Sequence, residues 1–111
     1  MSKNKKILHL SLKEIWFRMI ISGVKKEEYR EINDYWKRRL VVSEAYNLLD
    51  DEVEYVEFDY IEFALGYPKS DDKERRAIFK FEGIKRSTGR AEWGAEPGKE
   101  YYDIQIGERV S

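Results

Sequence analysis

Residues 22–39 read SGVKKEEYREINDYWKRR, and the interpretation of the fold depends on this stretch. Charged and aromatic side chains are interspersed along it: Lys25, Glu28, Tyr29, Arg30, Tyr35, Trp36, Arg38 and Arg39. Such a pattern is compatible with a solvated edge strand, whose surface salt bridges stabilise a protein by only ~0–1 kcal/mol each. The alternative is that the stretch forms one wall of a polar site.

Two elements with clear patterns precede this stretch. Residues 6–12 (KILHLSL) alternate as a strand does, which places His9 on the face opposite the leucines. A helix follows, and Ser11 and Glu14 form an S-x-x-E capping box at its start. Gly23 stands where a left-handed C-terminal cap is expected. The predicted core stripe of the helix consists of Leu12, Ile15, Trp16, Met19 and Ile20.

The stretch itself predicts an extended segment and a second helix. In a strand over residues 24–31, strict alternation would separate Lys25 from Glu28, so we expect a kink after Gly23 to bring them together. Asn33 or Asp34 would cap a short helix that covers DYWKRRLV. A further short helical turn is predicted over residues 43–50.

The second half of the chain predicts mainly strands. Residues 55–67 form the strongest candidate, and their apolar phase switches between Tyr60 and Ile61, which indicates a bulge. Residues 75–84 and 100–110 predict two further strands, separated by a loop of 14 residues (85–98). The order of elements indicates an α+β domain with a mixed or antiparallel sheet that is curled into a barrel.

Length and composition limit the function classes. The chain has 111 residues, which fits one domain over residues 1–111, and its net charge of −1 shows no basic excess. The charge is uneven, because residues 1–39 carry a balance of +6 and residues 40–68 one of −8. Cysteine is absent and histidine occurs once, so we expect no metal and no cofactor. No apolar run is long enough for a membrane span, and a cytoplasmic location is the default expectation.

The opening stretch resembles the G-x-K-x-x-E-x-R signature of ASCH domains in the PUA-like superfamily. Gly23, Lys25, Glu28 and Arg30 match it position by position. The later segments LGY (65–67), EWGA (92–95) and YYDIQIG (101–107) are similar to landmarks of small bacterial and phage-type members. The resemblance implies a curled β pseudo-barrel with short helices and a cleft that binds RNA or a modified nucleoside.

The same resemblance implies an enzymatic alternative. Some ASCH proteins of this size hydrolyse N4-acetylcytidine with a lysine, a threonine and a glutamate, and others are reported as ribonucleases. Lys25 matches the lysine and Glu62 is the candidate for the glutamate, but Glu28 stands at the position of the threonine. A carboxylate does not replace a hydroxyl nucleophile without a change of mechanism, and Glu28 would also pair with Lys25 and keep it protonated.

The expected ligand site combines the motif with aromatic and cationic side chains. Glu28 suits an exocyclic amine, Arg30 suits a carbonyl or a phosphate, and Lys25 supplies charge. The expected stacking partners are Tyr35, Trp36, Tyr67 and Trp93, and the candidate phosphate contacts are Arg38, Arg39, Lys85, Arg86 and Arg90. Each of these residues could instead be an ordinary core or surface residue. A third alternative is that the charged patches bind another protein.

Overall fold

The computed structural model describes residues 5–43 and 53–111 and shows an α+β fold with a curled half-barrel sheet. Its strands are β1 (Ile7–Leu12), β2 (Glu27–Arg30), β3 (Val41–Ser43), β4 (Glu54–Tyr55), β5 (Tyr60–Leu65), β6 (Arg76–Ser87) and β7 (Tyr101–Arg109). Its helices are α1 (Glu14–Ile21) and α2 (Asp34–Leu40), with short 3-10 turns at Lys73–Arg75 and Ala91–Trp93. The α+β class and the curled sheet with short helices are as the sequence predicts.

The main sheet has five strands in the order β1-β5-β6-β7-β2, and β3 pairs with β4 in a separate ribbon. The β1–β5 pair is parallel, with Leu8 opposite Ile61 and Leu10 opposite Phe63. The β5–β6, β6–β7 and β2–β7 pairs are antiparallel. The sheet is therefore mixed, and β1 and β2 form its two edges.

Strand β6 bends the sheet. Its register against β7 shifts between Phe79 and Phe81 and again between Phe81 and Gly83. Gly83 has a φ of 122°, a conformation that residues with a side chain rarely adopt. Irregularities of this kind increase the local twist and coil of a sheet. The curl brings the edge strands together, since Nη2 of Arg30 in β2 donates to the carbonyl of Ser11 in β1 at 3.0 Å.

The hydrophobic core lies inside the curled sheet. Alternation places the even-numbered leucines of β1 on its inner face, as the sequence predicts, and His9 on the outer face. The core also contains residues from both helices and from β5, β6 and β7: Phe17, Ile20, Leu40, Ile61, Phe63, Ala77, Phe79, Tyr102 and Ile104. Burial of these side chains removes apolar surface from water, which is the main favourable contribution to folding.

Helix α1 differs from its prediction at its start and on its buried face. The capping box is wrong, because Ser11 is still in β1, opposite Ala64, and Lys13 occupies the N-cap. The buried residues of the helix are Phe17 and Ile20, whereas Ile15 is 58% exposed. The helix is apolar on nearly every side, so packing against β5 selects its buried face. Gly23 does follow the helix in a left-handed conformation, with a φ of 83°.

The boundaries of three other elements differ from those that the sequence predicts. The strand predicted over residues 55–67 is divided into β4 and β5, and the break lies just before the predicted change of phase. Strand β6 extends to Ser87, and the predicted loop contains the 3-10 turn Ala91–Trp93. In the segment predicted as a helical turn (43–50), Ser43 ends β3, and residues 44–50 lie outside the described residues.

Helices in the described part of the chain are short. Over residues 5–43 and 53–111, none is both long and apolar enough to cross a membrane.

Candidate functional site

The chain reverses direction between α1 and β2, and this turn sets the position of Lys25. The amide groups of Val24 and Lys25 both donate to the carbonyl of Met19 at 3.0 Å, after Gly23 has ended the helix. Strand β2 begins only at Glu27, so Lys25 lies outside the strand alternation. The predicted kink is therefore present, and it brings Lys25 to Glu28.

The motif forms a buried cluster of three charges. Nζ of Lys25 donates to Oε1 of Glu28 at 2.7 Å and also to the carbonyl of Glu27. Nη2 of Arg30 donates to Oε2 of Glu28 at 2.9 Å. One carboxylate thus joins two cations, in charge-assisted hydrogen bonds stronger than neutral ones.

Burial controls the chemistry of this cluster. Lys25 is 1% exposed and Glu28 is 7% exposed, whereas the Arg30 side chain is 19% exposed. Burial lowers the pKa of the Lys25 ammonium from its ordinary value of 10.5, and the nearby Glu28 carboxylate opposes this shift without outweighing it. The pairing of Lys25 with Glu28 is as the sequence predicts. Among the motif's charged side chains, Arg30 is the one that a ligand can reach.

Aromatic rings surround the two cations. Nζ of Lys25 lies 5.0 Å from the centre of the Tyr29 ring and 5.9 Å from that of Trp16. The Arg30 guanidinium lies 5.0 Å from the centre of the Trp36 ring. These distances are within the range of cation–π attraction. Trp16 was not expected at the site, because an aromatic residue in an apolar helix stripe is indistinguishable from a core residue. Tyr29, in β2, was not among the expected stacking partners either.

Helix α2 continues the array from Arg30 to the surface. The Asn33 side chain accepts from the Trp36 amide at 2.9 Å, which confirms the predicted cap and orients the first turn. Tyr35 and Trp36 meet edge to face, with ring centres 5.0 Å apart. The Arg39 guanidinium covers the Tyr35 ring at 3.5 Å. We call Arg30, Tyr35, Trp36 and Arg39 the α2 surface; Tyr35 within it is 54% exposed.

Three other predicted site residues lie apart from the α2 surface. Tyr67 follows β5 and lines a groove with residues of β1 and α1. Glu62 is on the outer face of the sheet, where it contacts His9 and Arg76. Trp93 is in the second 3-10 turn, 4.8 Å from the guanidinium of Arg90. The structure therefore places the motif next to α2, whereas Tyr67, Glu62 and Trp93 lie elsewhere on the protein.

The Trp93 turn nevertheless reaches the other side of the Lys25 cluster. Gly94, which follows Trp93, approaches Trp16 so closely that an added Cβ would lie 3.0 Å from its ring. Its φ of 102° is also one that favours glycine. Trp16 in turn stands over Lys25, so this turn helps to close the interior around the lysine.

Asp103 is a buried carboxyl that the sequence did not indicate. It lies opposite Tyr29 in the β2–β7 ladder, and it accepts from the Ser87 hydroxyl and the Gln105 amide, both at 2.7 Å. Burial raises its pKa to about 7, and the adjacent carboxyl of Glu27 adds to the shift. No sequence pattern could identify this buried carboxyl, because strand alternation gives Asp103 an outward position and only tertiary contacts bury it.

The described residues contain no group of three or more His, Asp or Glu side chains that could hold a metal ion. Comparison with protein-family models, with curated proteins and with solved structures gave no match to this chain.

Proposed function

We propose that this protein is an ASCH-type, PUA-like domain that binds RNA or a nucleotide-like ligand, with the α2 surface as the contact. The observation that carries the proposal is the position of Arg30. Its guanidinium is held by Glu28 on the inside and stacks on Trp36 on the outside. A fixed guanidinium beside partly exposed rings suits single-stranded nucleic acid, whose bases stack on aromatic side chains for about 1–3 kcal/mol each.

The hydrogen bonding of Arg30 supports a polar ligand. Its Nη2 is used by Glu28 and Ser11, but its Nε is buried and has no partner among the described residues. A buried donor without a partner costs about 1–3 kcal/mol. Because this atom is closed to solvent, an oxygen of a base or a phosphate would instead meet the exposed part of the guanidinium, whose side chain is 19% exposed.

The charges near the α2 surface favour an anionic ligand. The last turn of α2 carries Lys37, Arg38 and Arg39. Arg86 lies in the same row of the sheet as Arg30, with Tyr102 between them. A cationic track of this kind would follow a phosphate backbone, and its contribution to affinity would fall with salt.

The test is fluorescence anisotropy with a labelled single-stranded RNA at 50 mM salt. We expect Trp36→Ala to weaken binding by about 5- to 150-fold, the equivalent of one lost base stack. We expect Trp36→Phe to retain most of the affinity. Trp93→Ala is the matched control, because Trp93 also stacks on an arginine but lies outside the α2 surface.

Two results would contradict the proposal. One is the absence of binding by the wild-type protein at low salt. The other is a loss of affinity in Trp93→Ala with none in Trp36→Ala, which would move the site to the 3-10 turn. Parallel titrations with DNA of the same sequence and with free nucleotides would define the ligand class.

A further inference from the structure

A second candidate site lies at the carboxyl ends of β1 and β5. These strands end opposite each other at Leu12 and Leu65, and the Gly66 amide donates to the Leu12 carbonyl at 2.9 Å. Gly66 has a φ of 64° and turns the chain outward, so that Tyr67 is 95% exposed. A groove of about 620 Å³ lies beside it, lined by both strand ends and by α1. We call it the Tyr67 groove.

The exposure of Tyr67 is built into the fold. Arg76 of β6 donates from Nη2 to the carbonyl of Pro68 at 3.0 Å and thereby fixes the residue that follows Tyr67. A single exposed aromatic residue needs no explanation on a protein surface. Tyr67 is different because its neighbouring backbone is fixed at the edge of a groove, so that its ring can stack on a planar ligand that enters the groove.

The Tyr67 groove has more cations than carboxylates. Lys13, Arg18 and Arg75 line it together with Glu14 and Glu74. The Arg18–Glu14 contact is long, at 3.4 Å, and both side chains are largely exposed. Lys13 has no ion-pair partner within the part of the chain that is described. Arg75 pairs with Asp72 at 3.3 Å, also in an exposed contact. Lys13 is therefore available to a phosphate group directly, and Arg18 and Arg75 would exchange exposed carboxylate partners for it.

A smaller pocket of about 190 Å³ lies on the other side of Tyr67. It contains His9, Glu62 and Arg76, with the His9 Nδ1 atom 2.9 Å from Glu62 Oε1 and Arg76 Nη1 3.3 Å from the same oxygen. Arg76 Nε is buried and has no hydrogen-bond partner in residues 5–43 and 53–111. This nitrogen is closed to a ligand, but the side chains of Arg76 and Glu62 are 26% and 19% exposed. They present guanidinium donors and a carboxylate acceptor to the pocket, a combination that fits the polar edge of a nucleobase.

We propose that the Tyr67 groove and this pocket together bind a nucleoside monophosphate. Its base stacks on Tyr67, and the polar edge of the base meets Glu62 and Arg76 in the small pocket. Its phosphate lies among Lys13, Arg18 and Arg75. This site shares no residue with the α2 surface, so it does not depend on the function proposed above.

The experiment is isothermal titration of the full chain with AMP, GMP, CMP and UMP, with the nucleosides and inorganic phosphate as separate titrants. We expect at least one monophosphate to bind, and Tyr67→Ala to weaken it by about 5-fold or more. Tyr67→Phe should bind as the wild type does. Arg76→Gln should also weaken binding, while phosphate alone should bind far less tightly than the nucleotide.

Lys80→Ala is the control, because Lys80 pairs with Glu108 outside the groove, the pocket and the α2 surface and should leave monophosphate affinity unchanged. Circular dichroism would confirm that each variant is folded. The proposal is overturned if no monophosphate binds at millimolar concentration or if Tyr67→Ala binds as the wild type does. Equal binding of phosphate and nucleotide would also overturn it, since the groove would then be an anion site only. An equal loss in Tyr35→Ala would place the nucleotide on the α2 surface.

Discussion

Glu28 and Ile104 lie opposite each other in the β2–β7 ladder, and Ile104 is completely buried. Opposed residues of a ladder share one face of the sheet, so the Glu28 carboxylate points into the interior of the half-barrel. Its two oxygens are occupied by Lys25 and Arg30. The motif that resembles a binding signature is therefore also a structural element of the core.

The first prediction concerns the stability of this cluster. Glu28→Ala leaves two cations without their shared carboxylate, and the loss of one partner of a buried ion pair costs about 3–5 kcal/mol. We expect a decrease of that size in the free energy of unfolding, measured by urea denaturation at pH 7. Glu14→Ala, which removes a carboxylate from an exposed pair, should change stability very little.

A double variant separates charge from packing. Lys25→Met combined with Glu28→Leu replaces the buried pair by apolar side chains of similar size, and such replacements are often neutral or stabilising. Arg30 loses its carboxylate in this variant, but its side chain is partly exposed to water. We expect it to recover much of the stability lost in Glu28→Ala. If Glu28→Ala costs less than about 1 kcal/mol, the cluster is solvated in solution and this account of the interior is wrong.

The second prediction concerns pH and Asp103. Burial raises the pKa of Asp103 from its ordinary value of 3.8 to about 7, so the folded protein keeps a proton that the unfolded chain loses. The free energy of unfolding contributed by this group therefore falls as the pH rises from about 4 to about 7. Asp103→Asn stays neutral, and its stability relative to the wild type should increase across this range and level off above it.

Urea unfolding of the wild type and of Asp103→Asn at pH 5, 6, 7 and 8 measures this difference. Asp71→Asn, at an exposed position, serves as the control substitution. Parallel pH curves for the wild type and Asp103→Asn would show that Asp103 ionises without cost in the folded protein.

The third prediction concerns the phosphate contacts. If Arg39 contacts an RNA phosphate, Arg39→Ala should lower the magnitude of the slope of log K against log salt by about 0.7, the value for one contact on a single strand. Binding should weaken to a similar degree for all sequences. Lys80→Ala is a suitable control, because Lys80 pairs with Glu108 on another part of the surface. An unchanged slope in Arg39→Ala would exclude this residue from the track.

The fourth prediction concerns catalysis. We expect no useful hydrolysis of N4-acetylcytidine, because position 28 carries no hydroxyl and the Lys25 amine is enclosed by its hydrogen bonds to Glu27 and Glu28. Chromatographic detection of cytidine from the wild type, from Lys25→Met and from Glu28→Thr is the measurement. Wild-type turnover that a folded Lys25→Met abolishes would make the hydrolase alternative the preferred function.

The sequence by itself determined the type of fold and much of the local structure. Alternation in residues 6–12 is strong enough to define β1 and its inner face, and Gly23 and Asn33 end and begin helices through backbone conformation and local hydrogen bonds. These signals act over a few residues and need no distant partner. The change of phase near Tyr60 likewise marked the place where β5 begins.

Only the tertiary structure decided which polar residues are buried. Lys25, Glu28 and Asp103 are charged residues of the kind usually found on a surface. Lys25 and Glu28 are enclosed where the curled sheet, α1 and the turn near Gly94 meet, whereas Asp103 is enclosed by its neighbours in β2, β6 and β7. Arg30 reaches Ser11 across 19 positions of sequence, and this contact exists only after the sheet has curled. Burial depends on elements that are distant along the chain, so no local pattern carries it.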